Sequence, residues 1–74
     1  MSEFVIVKGR ILRETDLAVL LIQDRNGERW ESWIPRGECK RISKKPLPEH
    51  LMQWAAEIEM PSWLAEAKEL EVEP

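Results

Sequence analysis

The sequence predicts an α+β domain that is mainly β: three to four antiparallel strands with a helix at the C-terminal end. Three observations predict it. "EFVIVKGRILR" and "LAVLLIQD" are rich in branched apolar residues and are separated by Glu14-Thr15-Asp16, a turn-forming break. Asn26-Gly27 is the strongest short hairpin signal, because a type I′ turn needs positive φ at both central positions. In "PSWLAEAKEL", Pro61 opens a segment in which Trp63, Leu64, Ala67 and Leu70 form one apolar helical stripe.

Each element follows in order. Gly9 interrupts the first strand, which predicts a bulge or a sharp bend of the kind barrel strands need. The second strand, 17–24, is apolar on both faces, as a central strand covered on both sides would be. With Asn26-Gly27 as a two-residue loop, Arg25 faces Glu28 and Asp24 faces Arg29, both pairs of opposite charge. The same register sets Gln23 opposite Trp30, Leu21 opposite Ser32 and Leu20 opposite Trp33. Trp30 and Trp33 therefore point to opposite faces of the sheet, and no regular strand can make them a single stacking platform. Pro35, which lacks an N–H, ends the third strand.

Residues 1–35 read as a β-meander and 36–47 as a basic connector with a single helical turn at 36–41. Across 48–70 the expected order is helix, short strand, helix. Leu47, Leu51, Trp54 and Ile58 recur at helical spacing, Pro48 suits a first helical position, and 57–60 alternates as a short strand. Helix or strand over 48–58 stays open. Residues 71–74 read as a frayed tail. The expected architecture is a partly open small barrel, SH3- or OB-like, in one domain spanning 1–74.

A chain this short has a marginal core and leans on disulfides, a metal, tight packing or self-association such as a homodimer. Cys39 is the only cysteine, which excludes an internal disulfide, and Cys39 with His50 falls short of a zinc ligand set. Four tryptophans, Trp30, Trp33, Trp54 and Trp63, read most simply as core. The net charge of −3 is split: 1–45 carry ten Lys/Arg and seven Asp/Glu, and 46–74 carry one Lys and seven Glu. No secretory leader or membrane span is visible, and a lone thiol suits a reducing compartment, so a soluble cytoplasmic protein is expected.

Little in the chain points to catalysis. Cys39 with His50 is the one nucleophile–base pairing available, no third orienting group is evident, and Gly9, Gly27 and Gly37 stand apart from any phosphate loop. Neither cofactor nor metal is called for. The candidate binding residues are Trp33, Arg36, Lys40, Arg41, Lys44, Lys45 and Trp63. The basic run could neutralise phosphates, with a tryptophan stacking a base of single-stranded nucleic acid; its simpler reading is a solvated connector. The stripe with Trp63 could anchor a partner protein; its simpler reading is a lid on the core.

"ETDLAVLL", "GERWESWIPRGE" and "IEMPSWLAEAKEL", in this order, resemble a family of small, largely uncharacterised proteins encoded in phages and prophages. The matching residues are Glu14, Thr15 and Ala18, then Trp33, Ile34 and Pro35, then Pro61, Trp63, Leu64, Ala65, Lys68 and Leu70. The chain departs from that pattern where Arg36-Gly37-Glu38 replaces Lys-Ser-Gln and where Lys68-Glu69-Leu70 replaces Lys-Gly-Leu. The resemblance implies a mobile-element accessory protein and no chemistry. It also implies that 57–60 pairs with the sheet and 61–70 forms a short closing helix. The expected function is a non-enzymatic binding module acting on a host or phage protein, one form being inhibition of a host or defence factor. Single-stranded nucleic-acid binding through 36–45 is the alternative.

Overall fold

Asn26 and Gly27 adopt φ of 53° and 81°, as a type I′ turn requires, and the strands on either side of them pair as that turn dictates. In the structure, a computed structural model describing residues 3–73 and only the backbone of 50–52, β2 (Ala18–Arg25) and β3 (Glu28–Pro35) form this hairpin. The register runs Arg25–Glu28, Asp24–Arg29, Gln23–Trp30 and Leu20–Trp33, as read from the turn. β1 (Phe4–Glu14), β4 (Arg41–Leu47) and β5 (His50–Pro61) complete one antiparallel sheet in the order β3-β2-β1-β5-β4. A short helix, α1 (Ser62–Ala67), follows β5. The sheet is therefore five-stranded, not three- to four-stranded, and it is open, with β3 and β4 as its edges.

The inner face carries the core: Val7, Ile11, Val19, Leu21, Ile34 and Ile58 are all fully buried. From α1, Leu64 and Ala65 pack onto them. At about 25 cal/mol per Å² of apolar surface, this aliphatic cluster is the main source of stability. None of the four tryptophans is fully buried. Trp30 and Trp54 are half-buried, while Trp33 and Trp63 are 44% and 52% exposed. The reading of the tryptophans as core is thus corrected: branched aliphatics fill the interior, and the indoles sit at its margins.

Residues 36–47 are more than a connector. A 3₁₀ turn at Arg36–Glu38 leads into β4, which pairs with β5 along its length. The helical reading of 48–58 is also overturned. Trp54, Ala56, Ile58 and Met60 alternate inward along β5, opposite Ile11, Gly9, Val7 and Val5 of β1. Trp54 and Ile58 satisfy a four-residue helical spacing and a two-residue strand spacing equally, and pairing on both sides of β5 decides for the strand. Pro48 lies in the β4–β5 turn.

The tail is tied down at three points. The β1–β2 ladder begins only at Arg10–Ile22, so the first half of β1 has no strand partner on its β2 side. Glu73 donates its N–H to the Ile6 carbonyl there, at 2.8 Å. The buried Gln23 amide bridges the same gap. Its Nε2 donates to the carbonyls of Lys8 (2.9 Å) and Glu71 (3.0 Å), and its Oε1 accepts from the Glu71 N–H (2.9 Å). The expected fraying of 71–73 is therefore corrected; Pro74 lies outside the described residues.

α1 ends in a Schellman arrangement. The Leu70 N–H reaches the Ala65 carbonyl at 2.9 Å and the Glu69 N–H reaches the Glu66 carbonyl at 3.0 Å. Glu69 holds φ of 55°, a conformation glycine adopts without cost, and it stands where the resembling family carries Gly. Replacing Glu69 with Gly is expected to raise stability by about 0.5–1 kcal/mol, read from the urea midpoint at unchanged slope.

Candidate functional site

The basic run is dispersed by its own strand. Register on β4 puts Lys44 on the inner face, opposite Ala56, and Arg41 and Lys45 on the outer face, opposite Glu59 and Ala55. Arg36 and Lys44 meet on one carboxylate, that of Glu14 at the end of β1. The Arg36 guanidinium lies 2.7 Å from it, and Lys44 bonds its other oxygen. Arg36 also donates to the Thr15 carbonyl at 2.9 Å. The Lys44 ammonium lies 5.0 Å from the Trp54 ring centre. Lys40 pairs with Glu59 at 3.7 Å and lies 5.3 Å from the Phe4 ring centre. Among the described residues, Arg41 and Lys45 make no ion pair.

Glu14 is the hub that residue types alone do not reveal. No short-range spacing signals that positions 14, 36 and 44 converge; the β1–β5–β4 pairing and the 3₁₀ turn bring them together. Lys44's hydrogen bond, aided by Arg36 and opposed by partial burial, holds the Glu14 carboxyl below the usual glutamate range. A carboxylate with a depressed folded-state pKa contributes stability that is present above the ordinary glutamate value and is lost as pH falls through the folded value. Glu14→Gln is therefore expected to lose less stability than the wild type between about pH 6 and about pH 3. Melting temperatures across that range would read the difference.

The outer face of the β2–β3 hairpin presents Trp33, 44% exposed, on the edge strand. Trp33 stands opposite Leu20, which is 8% exposed, and Ile22 beside it is 1% exposed. Among the described residues, α1 packs on the opposite face, with Leu64 and Ala65 against the core. Arg10, opposite Ile22 on β1, is pinned by Gln53 (2.9 Å) and Asp24 (2.6 Å), which holds its aliphatic stem across the face. Leu17, 81% exposed, sits at the same end of the hairpin, where its carbonyl accepts from the Arg36 N–H at 2.8 Å. Charged Arg29 and Glu31 flank Trp33 along β3 and pair with each other at 2.9 Å.

Trp33 and the basic strand are not neighbours across the sheet, since β2, β1 and β5 lie between them. Trp63 belongs to yet another surface, on α1, and so is no part of the core stripe expected for it. Leu64, Ala65 and Leu70 make that contact instead. The Cys39 thiol donates to the Pro35 carbonyl at 3.4 Å, and burial, reinforced by Glu38, pushes its pKa up, away from nucleophilic thiolate. The His50 side chain, the other half of the one conceivable nucleophile–base pair, lies outside the described residues. Among the described residues no group of three His, Cys, Asp or Glu is placed to hold a metal ion, and no helix is long and apolar enough to cross a membrane. An open hollow of about 390 Å³ crosses β1, β5 and β4, floored by Gly9, Ser43 and Ala55 and rimmed by Lys8, Lys45 and Glu57. Its Lys8 is engaged by Glu73 at 2.9 Å and Glu57 at 3.5 Å, which raise the ammonium pKa. Compared with known proteins, the chain matches no family model, no curated protein and no solved structure.

Proposed function

We propose that the chain is a non-enzymatic binding module that acts by protein–protein contact, with Trp33 as its anchor. The observation that carries this reading is the placement of that residue. It is a half-exposed indole on the sheet face opposite α1, backed by the buried Leu20, with Leu17 exposed at one end and the Arg29–Glu31 pair at the other. An aromatic anchor on an apolar floor with a charged rim is the anatomy of a binding hot spot. In the mobile-element setting that the resemblance implies, the partner is a host protein met in the host cytoplasm, and inhibition of a host or defence factor is the form such contact takes. The reading calls for no cofactor.

Single-stranded nucleic-acid binding through 36–45 has less support. Arg36, Lys40 and Lys44 are engaged by the chain's own carboxylates, Lys44 and Lys45 face opposite sides of β4, and Trp33 lies at the far edge of the sheet. The two readings separate on two variants. Trp33→Ala removes the anchor without touching the core, and Arg41→Glu/Lys45→Glu reverses the two outward charges that pair with nothing described. With immobilised protein and host extract, the expected result is one protein species retained by the wild type and by the double charge variant and lost with Trp33→Ala. Retention that survives Trp33→Ala and fails with the charge reversals contradicts the proposal.

A further inference from the structure

The free edge of β3 offers a row of backbone groups with no partner among the described residues. The two-residue turn makes Arg25 and Glu28 exchange backbone bonds, and alternation from there turns the N–H and C=O groups of Trp30, Ser32 and Ile34 toward β2. The Arg36 N–H bond to the Leu17 carbonyl, at 2.8 Å, continues the same phase. Arg29, Glu31 and Trp33 therefore aim their backbone groups outward, and Pro35, with no N–H to offer, ends the row. None of those outward groups has a backbone or side-chain partner among the described residues outside the β2–β3 ladder.

The two edges of the sheet differ in charge. β4 carries Lys44, Lys45 and Pro46, two like charges and a missing donor, which is how an edge is protected from pairing. β3 instead alternates Arg29 and Glu31, which are 49% and 45% exposed. Like signs repel a second copy, whereas alternating signs accept one.

We propose that two copies of the chain pair antiparallel along the free edge of β3, with Arg29 of each opposite the partner's Glu31. The two-fold axis then passes between the two Trp30 residues at a non-hydrogen-bonded site, where side chains come closest. Arg29 and Glu31 exchange backbone bonds with their counterparts, and the four charged side chains form a square of alternating sign on the outer face. On the inner face each half-buried Trp30 gains the other as an apolar neighbour. Trp33 falls opposite the partner's turn and stays outside the pairing. The dimer thus goes beyond the proposed function and leaves the Trp33 surface open. One short strand per copy makes an interface toward the small end of specific contacts, so the dimer is expected to be concentration-dependent.

Sedimentation equilibrium of the whole chain tests this. The weight-average mass of the wild type should rise from 8.7 kDa toward twice that value as concentration increases. Arg29→Glu and Glu31→Arg should each hold the monomer mass at the same concentrations, because each puts like charges opposite one another. Their equimolar mixture should recover the dimer, since the altered edges complement each other, and that recovery shows both variants are folded. Amide hydrogen exchange at high concentration should slow at Arg29 and Glu31 and remain fast at Trp33. A wild type that stays monomeric throughout, single variants that associate as the wild type does, a mixture that fails to recover, or protection that appears on β4 instead overturns the proposal.

Discussion

Replacing Gly9 with alanine is expected to cost about 1–3 kcal/mol of stability, the range for forcing an atom into a packed interior. A Cβ at this position would lie 2.5 Å from the Ile22 carbonyl oxygen, 3.0 Å from Leu21 Cδ1 and 3.3 Å from Gln23 Cγ. The first of these atoms is backbone and cannot rotate away. Gly9 stands just before β1 enters its ladder with β2 at Arg10–Ile22, where the two strands converge after the gap that Gln23 and the tail fill. The cost is steric and arises from close approach of two backbones. Urea unfolding would show it as a lower midpoint at constant slope. A loss below about 0.5 kcal/mol, the scatter of ordinary surface substitutions, would mean that β1 and β2 do not approach this closely.

Gln23→Leu is expected to lose about 2–4 kcal/mol and to release the C-terminal segment. Among the described residues its amide is the one side chain that both donates to and accepts from the tail, matching the N–H and C=O of Glu71 as a paired strand would. Leucine keeps most of the volume and removes both functions. The Lys8 carbonyl and both Glu71 backbone groups then lose their partners; a fully buried orphan costs about 1–3 kcal/mol, and water reaching these part-buried groups relieves some of it. Hydrogen exchange provides the sharper check. The amides of Glu71 and Glu73, bonded to Gln23 and to the Ile6 carbonyl, should be protected in the wild type and exchange freely in the variant. Protection that persists would show that the salt bridges of the tail, Lys8–Glu73 and Arg25–Glu71, hold it unaided.

The parts of this fold that local chemistry decides were legible. Asn26-Gly27 specifies a turn, the turn a register, and the register the opposite facings of Trp30 and Trp33. Which of the two faces outward was not legible, because it depends on where α1 and the tail lie. Trp30 is the inward one since its indole N–H donates to the Lys68 carbonyl at 3.1 Å. β4 was hidden for a related reason. Its lysines and proline look like a loop, yet an edge strand is where lysine and proline protect a sheet. β5 was ambiguous because Trp54 and Ile58 fit two periods, and its two neighbours decided the matter. The tail's polar, acidic composition gave no hint of its role. What holds it is a gap in the β1–β2 ladder, which no local pattern records.

Of the candidate site, the residue types were legible and their grouping was not. The basic run is contiguous in sequence, but strand alternation splits it between two faces, and Glu14, far away in the chain, takes up two of its charges. Carboxylates on Arg36, Lys40 and Lys44 lower what the run can offer to phosphates, since release of bound counterions needs unpaired positive charge. Trp33 gained in standing for the converse reason: it is half-exposed on the sheet face opposite the core.

Intrinsic fluorescence during titration with single-stranded oligonucleotide at low salt tests the central claim most directly, that this chain meets proteins through Trp33 and that its basic strand is a sheet edge whose charges are divided between two faces. The account predicts no change in emission with oligonucleotide in large excess over protein. Quenching that fades as salt is raised and disappears in Arg41→Glu/Lys45→Glu would contradict it, and would make β4 a nucleic-acid-binding edge.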